Sequence, residues 1–432
     1  MAVDSVHPLY KTHNSTMTTD AYNGNVNDYV PRLTSQTDSE FNNYVSRGSY
    51  YNATKRTVEA LTGAVMRKPP VYNLEGVHGD EHITLCELAG NVVRAQFLDG
   101  RAGLLVDFNE EMQEPYIVSF KTEQIINWRK DKSLIVIMET VEAEDPDDPY
   151  ELKLTPQIRE LFLDQDGFYV VQLWRMRGGT ERGQATWERF GDPVMPTSRG
   201  ERIPFIPFTF VTPFDTTDTL CDPVATNLAQ INISHFLNSV DYEHGIHKTA
   251  LPTPVLSGNF IDDVGTQVAL GTDFVWRLEE GASVKYLEFT GAGLEKIREA
   301  MDQKERQMAA IGADLLTPKN GVESAEALRI RAGAQSATLM SIVEAVESAL
   351  RQCLQWVQYW RGSDEEVVFL MNRDFAAAPM DPQQVKALSE LYIAGQISMH
   401  TFLDNLHAGE IIPSTAEELE RLGLNLSDME DE

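Results

Sequence analysis

The feature that most constrains the fold is a stretch from about Gly293 to Trp360 that reads as a helix, a short loop and one very long helix. Leu294 to Ile311 is charged and holds neither glycine nor proline. The next ten residues, Gly312 to Gly321, carry the breakers Gly312, Pro318 and Gly321. Beyond them Leu339, Val343, Val346, Leu350, Cys353, Val357 and Trp360 recur at alternating spacings of four and three. That rhythm places one apolar stripe along a helix. A lone helix cannot bury such a stripe, so it is expected to pack on neighbouring helices of the same or adjacent subunits. Long helices with a loop pinned between them point to an assembly protein and away from a metabolic enzyme.

Composition narrows the class. A chain of 432 residues, 42% hydrophobic, can bury sizeable cores and is expected to form two or more domains. Its net charge of −30 repels nucleic acid and anionic lipid, which disfavours DNA binding through a basic patch. Cys86, Cys221 and Cys353 are far apart and form no CxxC pair, so a reducing compartment is expected, with neither a disulfide framework nor structural zinc. Met1 to Asp20 is polar and lacks the apolar segment of a signal peptide. The densest apolar run, Ile203 to Val211, is too short and proline-rich to span a bilayer.

Residues 1–36 are Asn/Thr-rich without clear periodicity and are expected to be an extended arm. Thr37 and Glu40 have capping-box spacing, with Asp38 an alternative cap, ahead of a helix carrying Tyr51, Val58, Leu61 and Val65 on one face; Pro69 and Pro70 stop it. Residues 83–210 mix a helix at Thr84–Leu98 with strands at 103–108, 116–120, 134–140, 168–175 and 186–190. The last two flank the glycine-rich run Gly178–Gly183, read as a hairpin loop. Glu139 to Glu151 holds seven acids, two prolines and no base, and reads as a solvated loop. Asp222-Pro223 is expected to open a helix running to about Lys248. Strand-and-turn segments follow over 251–290, then the helix 294–311 and the long helix. Glu366–Leu370 reads as a lone strand, Asp381-Pro382 starts another helix, Ser398 a short one, and Ser414 with Glu417 caps the last.

A catalytic constellation is not found. There is no P-loop and no nucleophile elbow, and Gly178–Gly183 lies between strands, where a phosphate cradle would need a following helix. His244 and His247 are three apart on one helix, with His235 a little earlier, but the spacing is not HExxH and no carboxylate pair completes a metal set. Asp145, Asp147 and Asp148 lack the glycine and terminal glutamate of a calcium loop. Cys353 falls in the apolar stripe and reads as packing. Trp356, Tyr359 and Trp360 read as core or subunit-interface packing in preference to a base-stacking platform. No cofactor is expected.

Two sets of residues resemble the portal proteins of tailed bacteriophages. Tyr29-Val-Pro-Arg32, the run Tyr44 to Val58, Leu61-Thr-Gly63 and Arg67-Lys-Pro-Pro70 look like the N-terminal signature of a compact portal subfamily, or head–tail connector. Ala309 to Leu316 followed by Glu323 to Arg329 resembles that family's transition from tunnel loop to long helix. The resemblance covers nearly the whole chain after about residue 20, and its motifs mark structure and not chemistry. It implies an α+β fold: an N-terminal arm (1–36), an α/β wing (37–221), a stem helix (222–249), a small β clip (250–290), a second stem helix (291–311), a tunnel loop (312–323), a long kinked helix with a wing strand (324–380) and a short helical crown (381–432). Gly333 is where the bend in the long helix would fall.

The same resemblance implies a non-enzymatic ring of 12 copies at one capsid vertex of the virion, assembled in the host cytoplasm, without membrane contact. Double-stranded DNA would pass through it in packaging and ejection without sequence specificity. The large terminase, a head–tail adaptor and the major capsid protein would be its partners. The channel loop would be Asp314, Leu315, Leu316, Lys319 and Asn320, and the stem cations facing the channel Lys296, Lys304 and Arg306; the alternative for these helix charges is pairing within the helix, as Asp302 with Arg306 at i,i+4. The packing seam would be Leu339, Val343, Val346, Leu350, Val357 and Trp360. Two other readings stay open, a different structural virion protein such as an adaptor, and an enzyme with a metal at His235, His244 and His247.

Overall fold

The computed structural model describes residues 13–32, 34–109, 113–144, 152–177, 186–250, 253–257, 281, 283–287, 291–314, 325–363, 365–375, 382–409, 411–412 and 421. Part of the expected extended arm is a helix, α1 (His13–Asn23). Its own sequence has little amphipathic character; tertiary burial of Met17, Thr18 and Ala21 holds it instead, and Thr18 Oγ1 donates to the carbonyl of Leu98. α2 (Asp38–Val45) starts from the expected capping box, with Thr37 N donating to Glu40 Oε2 at 2.9 Å and Glu40 N to Thr37 Oγ1 at 3.3 Å. The single helix expected up to Pro69 is two. α2 ends at Val45, and α3 (Ala53–Val65) starts afresh from Asn52, whose side chain accepts from Lys55 N. Gly48 lies in the break, and a Cβ there would sit 2.4 Å from Val240 Cγ2, so the chain passes too close to a later helix to stay helical with larger residues. Tyr51 is therefore outside α3 and exposed, while Val58, Leu61 and Val65 are buried as the spacing predicts.

β1 (Val71–Tyr72) precedes α4 (Leu85–Leu98), which begins at a second capping box, Thr84 with Glu87. The strands that follow are β2 (Ala102–Asn109), β3 (Glu114–Lys121), β4 (Ile125–Trp128), β5 (Leu134–Glu144), β6 (Leu152–Leu163), β7 (Tyr169–Arg177), β8 (Thr186–Val194), β9 (Thr197–Ser198), β10 (Glu201–Arg202) and β11 (Phe208–Val211). They form an antiparallel sheet β11-β2-β3, a five-stranded antiparallel meander β4-β5-β6-β7-β8 and the small hairpin β9-β10. β7 and β8 pair antiparallel around the expected hairpin, whose glycine-rich loop lies outside the described residues. β6 escapes the sequence reading because Pro156 interrupts it, yet Pro156 sits in register opposite Thr140.

The acidic segment is also corrected: Glu139 to Glu144 belongs to β5, and 145–151, with Asp145, Asp147 and Asp148, lies outside the described residues. Glu139 is no solvated acid. Its carboxylate lies 2.9 Å from Arg159 Nε, Arg159 also binds Asp107, and burial raises the Glu139 pKa from its ordinary value against the opposing pull of Arg159.

α5 (Thr226–Thr249) starts four residues after the expected Asp222. The Pro223 carbonyl accepts from both Thr226 N and Thr226 Oγ1, closing a turn ahead of the helix, and Asp222 accepts from Asn14 Nδ2 at 2.9 Å. β12 (Thr253–Ser257), β13 (Ser283–Leu287), α6 (Ala292–Asp314) and α7 (Ala325–Arg361) follow. β14 (Phe369–Leu370) does not join a wing sheet as expected but pairs with β1 in a two-stranded sheet of its own. α8 (Pro382–Ile393) and α9 (Met399–Ala408), the latter capped by Ser398, stand where the breakers predict; Ser414 and Glu417 lie outside the described residues.

The main core forms between α3, α4, the inner strands and the second half of α7. Leu339, Val343, Val346, Leu350, Cys353 and Val357 are buried there, and Trp360 is partly buried. Ile342, Ala345, Ala349 and Leu354 are buried with them, so the covered face is wider than a two-residue coiled-coil seam. α7 packs on α4 and on β2, β3 and β11 of its own chain, which makes the seam part of the subunit core. Burial also pushes the Cys353 thiol upward, as expected of a packing cysteine. Trp356 stacks on Phe205 at a centroid distance of 6.0 Å and Tyr359 meets the same ring edge-on at 5.4 Å, so this aromatic group is engaged in packing.

One buried acid gives a pH test. Asp99 ends α4, is 9% exposed and accepts from Thr19 Oγ1 at 3.3 Å; burial raises its pKa to about 6, with Lys121 opposing. A carboxyl raised above its unfolded value stabilises the fold when protonated, and that contribution is lost as pH rises from about 4 through about 6. Asp99→Asn is therefore expected to stabilise the protein at pH 8, by on the order of 2–3 kcal/mol, with the gain shrinking toward pH 5. Urea midpoints at the two pH values check it; a gain that grows on acidification would contradict the assignment.

Candidate functional site

α5 and α6 form a two-helix arm. Their contacts pair Leu228 with Met308, His235 with Glu305, and Gly245 with Leu294, so the helices run antiparallel. At 1.5 Å per residue, α5 is about 36 Å long. The small side of Gly245 lets α6 approach: a Cβ there would lie 2.5 Å from Leu294 Cδ2. At the base of the arm, buried Asn232 binds the chain leading into α3. Its Oδ1 accepts from Thr54 N at 3.0 Å, Thr54 Oγ1 at 2.9 Å and Tyr50 Oη at 3.0 Å, and its Nδ2 donates to Tyr51 O at 2.7 Å. A buried amide engaged through both its oxygen and its nitrogen holds the arm to the body in one geometry. At the other end β12 and β13 pair antiparallel from Thr253↔Leu287 to Ser257↔Ser283, giving the arm a β tip.

α6 has two unlike sides. Ile297, Met301, Lys304, Met308 and Ile311 fall at spacings of four, three, four and three and turn toward α5 or the body, with Met308 buried. Glu295, Arg298, Glu299, Asp302, Glu305 and Arg306 are exposed. The three predicted stem cations have different fates. Lys296 is exposed and reaches Glu299 Oε2 at 2.6 Å, one turn along the same helix. Lys304 Nζ donates to the carbonyl of Ser234 at 2.9 Å, and burial lowers its pKa, so it joins the two helices. Its place in the apolar spacing was the signal for this inward position. Arg306 lines an open cleft of about 640 Å³ with Tyr51, Arg56, Asp302 and Glu305, and no ion pair joins it to Asp302 among the described residues.

Of the predicted loop residues, Asp314 ends α6, and Leu315, Leu316, Lys319 and Asn320 lie outside the described residues. The histidines separate. His235 is buried with Nε2 3.1 Å from Glu305 Oε1, a contact that sequence spacing alone does not reveal. His244 meets Tyr44 edge-on at 5.0 Å, and desolvation followed by the nearby Lys248 lowers its pKa. Among the described residues no group of three His, Cys, Asp or Glu side chains is arranged to hold a metal, and no helix is long and apolar enough to cross a membrane.

A protein-family profile described as a domain of unknown function (DUF4055) matches residues 225–361, the span from the start of α5 to the end of α7. No curated protein matches the chain. Among solved structures, a chain from the neck of an empty GTA particle, computed with C6 symmetry, is 11% identical with a TM-score of 0.42, covering 98% of this chain and 97% of that one. A chain from the virion of a native gene transfer agent particle is 13% identical with a TM-score of 0.41, covering 95% and 99%. A third, from the neck of a native GTA particle computed with C12 symmetry, is 12% identical with a TM-score of 0.37, covering 98% and 97%.

Proposed function

We propose that this chain is the subunit of a phage-type portal, a ring channel at one capsid vertex through which double-stranded DNA is packaged and ejected. The observation that carries this reading is the order α5, β12–β13, α6, α7: an antiparallel helical arm with a β tip, returning by a short connection to a 37-residue helix set in the α+β body. This order supports reading α5 and α6 as the stem, β12–β13 as the clip and α7 as the long helix that the sequence resemblance implies. The body corresponds to the wing, and α8 and α9 to a short crown. The ring would hold twelve copies, the β tip would meet the terminase and later a head–tail adaptor, and the body would contact the capsid protein.

The electrostatics support it. A channel must pass DNA without holding it, and Lys or Arg contacts to phosphate bind strongly and with steep salt dependence. The chain carries 66 acids against 36 Lys and Arg, and of the stem cations Lys296 has an acidic neighbour within its own helix while Lys304 faces α5. A duplex inside such a ring is repelled from the wall and stays centred. Hydrolytic energy would come from the terminase.

Electron microscopy of the purified full chain tests the proposal. Closed rings with a central channel are expected. A monomer or an open filament would instead favour an adaptor or other capsid-associated role. Stoichiometric metal lost on His244 and His247 substitution would favour an enzyme.

A further inference from the structure

Outside the arm, one turn holds two histidines in an arrangement that packing does not require. The run His78-Gly-Asp-Glu-His82 lies between β1 and α4, with residues Asp80–His82 in a single 3-10 turn. Its backbone is closed at several points: Gly79 N donates to Ile83 O at 2.8 Å, Ile83 N to Asp80 O at 3.2 Å, and Ile117 N of β3 to His78 O at 3.1 Å. Gly79 suits this closure: a Cβ there would lie 2.7 Å from Ile83 Cγ1, which would have to shift. His82 stands in the left-handed region with φ 61°, a conformation that L-residues rarely adopt and that concentrates at functional sites.

The two rings face one another with centroids 4.8 Å apart and planes inclined by 55°. Two imidazoles bound to one metal at about 2.0–2.1 Å put their centroids about 5 Å apart for tetrahedral or octahedral angles. His78 Nδ1 lies 2.9 Å from the Gly79 carbonyl. That contact fixes Nδ1 as the protonated nitrogen and leaves the lone pair on Nε2, the arrangement by which metal-binding histidines are oriented by a backbone carbonyl. Nε2 itself is buried and has no hydrogen-bond partner. The Tyr116 ring stacks beneath His78 at 6.3 Å; burial first, then the carboxylate of Asp107 and, less, that of Asp80 raise the Tyr116 pKa, so negative charge stands nearby.

We propose that His78 and His82 form a site for a divalent transition metal of the zinc and nickel class, with water completing the coordination. A bound ion would tie the two ends of the turn together and hold the start of α4 against β3. The proposal does not depend on the portal reading, and no ring is needed to test it.

The test is a calorimetric titration of the untagged full chain with Zn²⁺ and with Ni²⁺, after treatment with a chelator and dialysis. One equivalent per chain is expected, with a metal-dependent rise in melting temperature. His82→Asn keeps a residue that tolerates the left-handed backbone and removes the imidazole; it and His78→Gln should each weaken binding at least tenfold and abolish the melting shift. His247→Asn on α5 should leave both unchanged. Absence of binding to the wild-type chain, binding unchanged in both turn variants, or loss of binding in His247→Asn alone would each overturn the assignment.

Discussion

Gly100→Ala should leave almost no stably folded protein. Gly100 joins α4 to β2 at φ +70°, and an added Cβ would lie 2.2 Å from the Cys221 carbonyl oxygen and 3.0 Å from Pro223 N. The left-handed backbone costs an alanine about 1–2 kcal/mol. The clash is with main-chain atoms of Cys221 and Pro223, so no side-chain rotation relieves it. The segment displaced leads into α5, so the damage would reach the seat of the arm on the body. A total loss above about 4 kcal/mol is expected, read as a collapse of the urea midpoint or of soluble yield. Gly167→Ala is the control: its φ is +83°, but nothing lies within 4 Å of the added atom, so it should cost only about 1 kcal/mol. A Gly100→Ala protein melting within a few degrees of wild type would refute the close approach.

Deleting Leu315–Asn320 should have the largest functional effect. The segment connects α6 to α7 and is the proposed channel constriction. On that proposal the segment lies outside the subunit core, so the deleted chain is expected to fold and form rings that look intact in the microscope. Nuclease-protected DNA in particles built from it should fall to near background. Failure of the rings to form would instead assign the segment to the subunit core and remove it from the channel.

Much of this architecture was legible from spacing and punctuation. The capping box at Thr37, the strands with alternating β-branched residues, and the long helix from 324 to 361 followed from local chemistry. Several of the misses share a cause, a contact from far along the chain. α1 is helical because it is buried on α5 and α4, and the break between α2 and α3 holds Gly48, which lies close against Val240. β6 tolerates Pro156 within a pairing decided by its neighbours, and β14 finds β1 about 300 residues earlier. Within the candidate site, the apolar spacing on α6 carries its inward side but not the partners that its charged residues find on α5. Lys304 and Glu305 are adjacent, yet one is drawn to a backbone carbonyl of α5 and the other to His235. The paired rings of His78 and His82 depend on a left-handed residue and a bridge to β3, neither of which has a sequence period.

The apolar face of α7 is covered by its own chain, and this sets an order of events. A subunit that needs no partner to close its core folds by a first-order process, at a rate independent of protein concentration. In the proposed ring, association would then fall to surfaces that stay wet in the single chain. Such building blocks can accumulate as finished monomers and join late, so the number that closes a circle is decided by the angle between rigid neighbours and not by the folding of any one of them.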